Sequence, residues 1–526
     1  VRLSLFWKGL VFVLAAILLV GGVIFVNQIL AGDTFGQEEA QHALYGMWLW
    51  KDLKALDWGA FWHDTQRQMI WPFLHSWFLA IFFFIFGVGY VPARLMSLMI
   101  FLFSIILVYL LSAKLSKSMG HKIGMLSVVL ALTSPLMLRF ASENMLEGLG
   151  VLLFLLAAYL YTICEERKLT LYYILLAILL GLSIFTNYLY AYLILPAFLV
   201  ATLSKLGSIS VEAIRISRKG EKAAIPFIWW AYKKTIAALV LLTLAAVWFS
   251  FSFSRKIQLL IRAIFKYSGG AELGWWQSLI YYPKVIIEEC TFSPWLGIFL
   301  LVSLFLPLVA SRYRGLNKLY IYVWTVLLLL ALTIPAKVSQ MIYIIVPFIF
   351  IIFSAVLFYV LENLQGRRRW LGAILLLFLV LPILPSLPRA YALLFPARPA
   401  ENMVQVLDYF QAGIPRDARL AIPLYLRHIN PEVVQFHFRD REAPVFTNPE
   451  ISESELLKRG DYYLVTVELA PEGFYKGEML DDSLHRWNDW LQEKVMAGEI
   501  RLYSSRKFES SGVTAKIYEK IFEPPF

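Results

Sequence analysis

About a dozen long apolar runs dominate the chain, near 5–29, 72–89, 93–112, 123–138, 146–163, 170–186, 189–204, 235–253, 294–310, 319–334, 341–361 and 370–388. A bilayer crossing takes roughly 20 apolar residues as helix, since each backbone N–H and C=O must be bonded within the segment. So many runs predict a polytopic α-helical membrane protein. Composition agrees: only 16% of residues are charged and mean hydropathy is +0.66, where soluble domains carry roughly 25% charged residues. The run Leu3–Val26 is too long for a signal-peptide core and no small-residue cleavage site follows, so it reads as a retained span.

The positive-inside rule decides which runs cross. If 72–89 does not cross, the inner segments hold 20 Lys and Arg and the outer ones 10. If it crosses, every later segment flips and the bias nearly reverses. The expectation is therefore about eleven transmembrane helices, with 72–89 as an outer juxtamembrane segment carrying Pro72, His75 and Gly87. Much of the net charge of +11 lies in short loops between spans, which explains it without a nucleic-acid partner. Cys164 and Cys290 fall on opposite faces in this topology, so a disulfide between them is not expected. The Pro-rich stretch before residue 396 divides a membrane domain, 1–395, from a small C-terminal extracytoplasmic α/β domain, 396–526. In the latter "ARLAIPL" and "DYYLVTVEL" read as strands, and "ENMVQVLDYFQAG" and "DDSLHRWNDWLQEKVMAG" as helices. "EIRLYSS" and "VTAKIYEK" are further strand candidates.

In this topology the outer face collects the chemistry. The first outer loop, within 30–92, carries "GQEEAQHALYG", with Glu38, Glu39 and His42. If helical, Glu38 and His42 share a face at i,i+4. A carboxylate beside an imidazole suits a general base or a metal; ordinary solvated charge is the plainer reading. Glu147 sits just inside a span entrance, where a carboxylate is costly and a functional candidate by default. Glu143, one turn earlier, fits a helix-start acid complementing the macrodipole. Lys337, Arg67 and Arg139 could hold a lipid phosphate by charge-assisted hydrogen bonds, or snorkel at the interface. Basic residues at 255–266 suit an interfacial amphipathic helix. Metal ligation by Glu38, His42 and Glu147 fits by residue type but has no ligand spacing behind it. No cofactor is required by any motif, and a divalent metal is left open.

Together these features resemble the GT-C superfamily of polyprenyl-phosphate-dependent glycosyltransferases, in the branch of protein O-mannosyltransferases and lipid A aminoarabinose transferases. That branch has an Asp-Glu pair in the first outer loop; "QEEAQHAL" stands there, with Glu38 at the Asp position and Glu39 at the Glu position. Its Pro-Pro-Leu element, Phe-Gly and Ala-Arg-Leu become "WPFLHSW", "IFG" and "PARLMSL" here, with Trp71 for the first proline and the preceding lysine missing. Pro135 and Glu147 match a Pro–Asp spacing, with Glu for Asp. Asn187 stands where the branch has a lysine, and Tyr343 and Pro347 match a late Tyr-x-x-x-Pro. The resemblance covers residues 1 to about 390.

It implies an integral-membrane inverting glycosyltransferase of the inner (plasma) membrane, with site and C-terminal domain facing the periplasm or exterior. The donor would be a polyprenyl-phosphate-linked sugar, the acceptor a lipid, glycan or protein hydroxyl, and membrane lipids would surround the site. Glu38, Glu39, Glu147 and His42 would form the catalytic group. Lys337, Arg67 and Arg139 would bind the donor phosphate, and His75, Asn187 and Tyr343 would line the donor–acceptor pocket. A lipid or polysaccharide transporter is the main alternative, and predicts internal repeats and broken helices at mid-membrane.

Overall fold

A computed structural model describes residues 2–68, 71–116, 119–167, 170–218, 271–306, 316–334, 336–364, 370, 387–422, 424, 426–443, 445–446, 462–470, 475 and 483–521. In chain order the helices begin with α1 (Arg2–Ile24), which runs on into a wider π-helical turn, Phe25–Leu30. Then come α2 (Gln37–Ala55), α3 (Trp58–Gln66), α4 (Leu74–Phe86), α5 (Tyr90–Leu115), α6 (Gly120–Leu132), α7 (Pro135–Ser142), α8 (Glu147–Arg167), α9 (Thr170–Ile184) and α10 (Tyr188–Arg218). Next are β1 (Ala271–Glu272), α11 (Trp275–Glu288), α12 (Pro294–Ser303), α13 (Leu316–Thr333), β2 (Ala336–Lys337), a 3-10 segment Ser339–Ile345, α14 (Val346–Asn363) and α15 (Leu387–Leu394). The chain continues with α16 (Met403–Gly413), β3 (Arg419–Ala421), α17 (Pro431–His437), β4 (Val445–Phe446), β5 (Tyr462–Leu469), α18 (Ser483–Met496), β6 (Ile500–Phe508) and β7 (Val513–Lys520).

Among the described residues six helices are long and apolar enough to cross a bilayer, or seven if α6 and α7, bent by 66°, form one broken span. Of the eleven expected spans, 170–186 and 294–310 form shorter helices, α9 and α12, while 235–253 and, of 370–388, residues 371–386 lie outside the described residues. The basic stretch 255–266 lies outside them too. The 72–89 run forms α4, 13 residues long, about 20 Å at 1.5 Å per residue. That is short of a hydrocarbon core of roughly 30 Å. The break at 133–134 has a local cause. Ser134 accepts from the Met137 N–H as an N-cap, and Pro135 occupies the first helical position, an arrangement that starts a helix anew. Between the basic stretch 255–266 and α12, α11 buries Ser278, Tyr282, Val285 and Ile286 on one face.

The chain divides into two compact units. The first comprises Val1–Gln28, Ala55–Phe78 and Arg94–Phe395. α14 lies at its centre, buried on every side from Val346 to Leu357, as expected of a helix apolar all round. Phe154 packs on Phe348 with ring centroids 4.6 Å apart, and Phe198 on Tyr322 at 4.8 Å. β1 and β2 pair antiparallel and bring Ala271 opposite Lys337.

The second unit comprises Ile29–Lys54, Leu79–Ala93 and Pro396–Phe526. Its sheet has the order β4-β3-β5-β7-β6, with β3 parallel to β4 and β5 and the β5-β7-β6 part antiparallel. This is the small C-terminal α/β region expected. It also gathers residues 29–54 and 79–93, which the sequence reading grouped with the membrane domain. Polar anchoring explains the grouping. The Asp33 carboxylate accepts from the Met403 N–H at the start of α16 (3.0 Å) and from the Tyr475 hydroxyl. The Thr34 hydroxyl donates to the His428 carbonyl at 2.7 Å.

Candidate functional site

In the second unit, the three candidates of the first outer loop lie on the first two turns of α2. Gly36 precedes the helix, and its N–H donates to Oε2 of Glu39 at 3.0 Å. This is the reach-back half of a capping box, in which the third helical residue satisfies the backbone at the helix entrance. Glu39 is buried, and its carboxylate also complements the helix dipole. Glu38 is exposed. His42 is only 2% exposed, and burial pushes its imidazole down to about 3, because an apolar surround penalises the charged form. His42 is therefore neutral at physiological pH. The adjacent acids thus differ in kind: Glu39 builds the helix entrance and Glu38 presents its carboxylate to solvent.

In the first unit the anchor is Glu147, in the first turn of α8 and 4% exposed. The phenols of Tyr190 and Tyr343, both buried, lie within its electrostatic reach. A glycine on α8 permits this: a Cβ at Gly150 would collide with the Tyr190 ring. Phe140 of α7 packs on Tyr343, ring centroids 4.7 Å apart. The structure thus brings together two sequence candidates, Glu147 and Tyr343, and adds Tyr190. The sequence carries no sign of Tyr190, because its partner glycine is 40 residues away on another helix. Asn187 is buried and caps α10, its Oδ1 accepting from the Leu189 N–H at 2.8 Å. His75 is buried in the first turn of α4, whose entrance is fixed by the Leu74 N–H donating to the Phe185 carbonyl at 2.8 Å.

The three cations take different partners. The Lys337 ammonium is buried and donates to the carbonyls of Leu330 (2.7 Å), Ala331 (3.0 Å) and Ile334. Those are orphan acceptors at the end of α13, so Lys337 is the C-terminal cap of that helix. Arg67 ends α3 and pairs with Asp64 at 3.4 Å. Arg139 pairs with Glu143 at 3.2 Å, one turn along α7. Both guanidinium side chains are about half exposed, at 41% and 51%, and a guanidinium is a five-donor group suited to anions. Among the described residues no three His, Cys, Asp or Glu side chains are grouped as a metal site.

A family model described as dolichyl-phosphate-mannose-protein mannosyltransferase matches residues 71–215. No curated protein matches the chain in sequence. The crystal structure of ArnT from Cupriavidus metallidurans in the apo state is similar over 97% of this chain and 97% of its own, with 14% identity and a TM-score of 0.59. The same protein bound to undecaprenyl phosphate covers the same shares at 14% identity and a TM-score of 0.56. The archaeal oligosaccharyltransferase AglB from Archaeoglobus fulgidus, in complex with an inhibitory peptide and a dolichol-phosphate, is similar at 11% identity and a TM-score of 0.50. That match covers 83% of this chain and 64% of AglB. The chain has the GT-C fold, and the superfamily resemblance read from its sequence is borne out.

Proposed function

We propose that the protein is an integral-membrane inverting glycosyltransferase that moves a sugar from a polyprenyl-phosphate donor to an acceptor hydroxyl. The observation that carries this reading is Glu147: a carboxylate buried at a span entrance beside two tyrosines, within a GT-C fold. A carboxylate held there is costly and is retained for what it does. The lipid phosphate in the similar ArnT structure supports the same donor class.

In the proposed reaction the Glu38 carboxylate, exposed at the start of α2, takes the proton of the acceptor hydroxyl. The hydroxyl oxygen forms a bond to the anomeric carbon as that carbon's bond to the phosphate oxygen breaks, in one inverting displacement. The lipid monophosphate leaves with the bonding pair. Glu147 orients the acceptor, with Tyr343 and Tyr190 as walls of the pocket. Glu39 and His42 hold α2 so that Glu38 is presented; neutral His42 adds no charge to the transition state. Arg67 and Arg139 are the cations best placed by exposure to stabilise the leaving phosphate. Lys337 serves that end by fixing the turn after α13, and would have to trade a carbonyl to bind phosphate itself.

The test is turnover by the purified protein in detergent, with a panel of short-chain polyprenyl-phosphate hexoses and pentoses and water or alcohol as acceptor. Release of lipid monophosphate with inversion at the sugar is expected for one donor. Retention of configuration would contradict the single displacement, and binding of donor without turnover would favour the transporter.

A further inference from the structure

We propose that a cleft in the second unit, between the end of α16 and β6, binds the hydroxyl groups of a carbohydrate chain. The cleft has a volume of about 640 Å³ and is lined by Asp408, Gln411, Arg416, Tyr503 and the turn after α16. That volume lies within the roughly 300–1,000 Å³ of small-ligand sites. Its polar groups are a carboxylate, an amide, a guanidinium and a phenol. Planar donors and acceptors around an aromatic face suit a ligand that is hydroxylated at its edges and apolar on its ring face. Opposite charges on Asp408 and Arg416 leave the cleft near neutral, as a neutral sugar requires.

Three features show a built site. Register slips in β6 between Leu502 and Ser504, so Tyr503 is an extra residue without a partner position in β7. A bulge of this kind re-aims a side chain and is frequent beside binding sites. Here it leaves Tyr503 49% exposed, with its ring braced edge-on by Tyr463 at 5.3 Å. Next, the turn after α16 is held from behind. The Arg441 guanidinium donates to the carbonyls of Ile414 (3.4 Å), Pro415 and Ala418 (2.8 Å). Last, the Asp408 carboxylate borders a buried imidazole: its Oδ1 lies 3.3 Å from Nε2 of His437, whose Nδ1 lies 3.2 Å from the Tyr90 hydroxyl. The Asp408 carboxylate itself stays 60% exposed. A peptide joining edge strand β6 would use backbone hydrogen bonds along the strand; this cleft offers side chains beside a helix end.

The lining of the cleft includes none of the residues proposed for transfer, and its binding is read without turnover. The full-length protein in detergent is exposed to immobilised hexose, N-acetylhexosamine and pentose tetrasaccharides. Wild type and the transfer-impaired Glu38→Gln variant are expected to bind one class equally. Tyr503→Ala and Asp408→Asn should each weaken that binding about tenfold or more, while Tyr503→Phe keeps it. The substituted side chains are exposed, and Arg416→Ala gives an independent reading if either variant unfolds. The proposal is overturned if wild type binds none of the sugars. Undiminished binding by Tyr503→Ala and Asp408→Asn overturns it too, as does displacement of the sugar by an unglycosylated peptide.

Discussion

At the residue scale, two carboxylates next to each other in the chain have different roles because one helix face is buried and the next residue points away. Glu39 bonds the Gly36 N–H, and its replacement by alanine should cost about 1 kcal/mol through loss of the cap. A lowered thermal midpoint with a bound donor analogue unchanged is the expected result. His42 makes a pH prediction. Its imidazole, held at about 3 in the fold, returns to roughly 6.5 when unfolded. The unfolded state therefore binds more protons as pH falls below the unfolded value. The stability of neutral His42 is complete above about pH 6.5 and is lost progressively toward pH 3. Thermal unfolding from pH 7 to pH 4 should show a shallower acid loss in His42→Gln than in wild type; parallel curves would show that His42 does not carry it. Spacing alone made Glu38, Glu39 and His42 legible as a group. It did not separate them, since which face of α2 is buried depends on residues remote in sequence.

Among the elements, the end of α13 shows what a local reading misses. Lys337 was legible as a cation before a span, but its partners are carbonyls exposed by the termination of a helix. Lys337→Met removes three donors from those acceptors and should destabilise the protein by about 1–3 kcal/mol. A phosphate ligand would instead raise KM for donor while leaving stability near wild type, so unfolding and kinetics on one variant separate the roles. The bend between α6 and α7 was readable in principle, from Ser134 before Pro135. The apolarity of 123–138 concealed it, because hydropathy records burial and not helix direction. The strand β7 was legible because its start alternates between apolar and polar residues, a period-two signal, and β5 because it is a short run rich in β-branched and aromatic residues. β4 and α17, two and seven residues long, are too short to carry a period. Gly150→Ala should displace Tyr190 from beside α8, lowering stability by about 1–3 kcal/mol and slowing transfer.

For the whole molecule, the expected orientation rests on the distribution of lysine and arginine, and the proposed chemistry rests on the fold. The C-terminal unit is proposed to face outward. A cysteine at exposed Lys507 should therefore react with a membrane-impermeant maleimide in right-side-out vesicles; labelling only after permeabilisation would invert the topology. The superfamily resemblance was legible through degenerate motifs at their proper order and spacing, even with Glu for Asp at two positions. The neighbours of Glu147 were not, because Tyr190 reaches it from a helix that meets α8 only in the fold. The central claim is that Glu38 and Glu147 perform the transfer. The most direct measurement is single-turnover release of lipid monophosphate by wild type, Glu38→Gln and Glu147→Gln, each with its fold verified by thermal unfolding. The account predicts a fall of about 10²–10⁴-fold in both variants, the range for loss of general-base or positioning catalysis. Wild-type rates in both variants would remove these carboxylates from the chemistry and contradict the account.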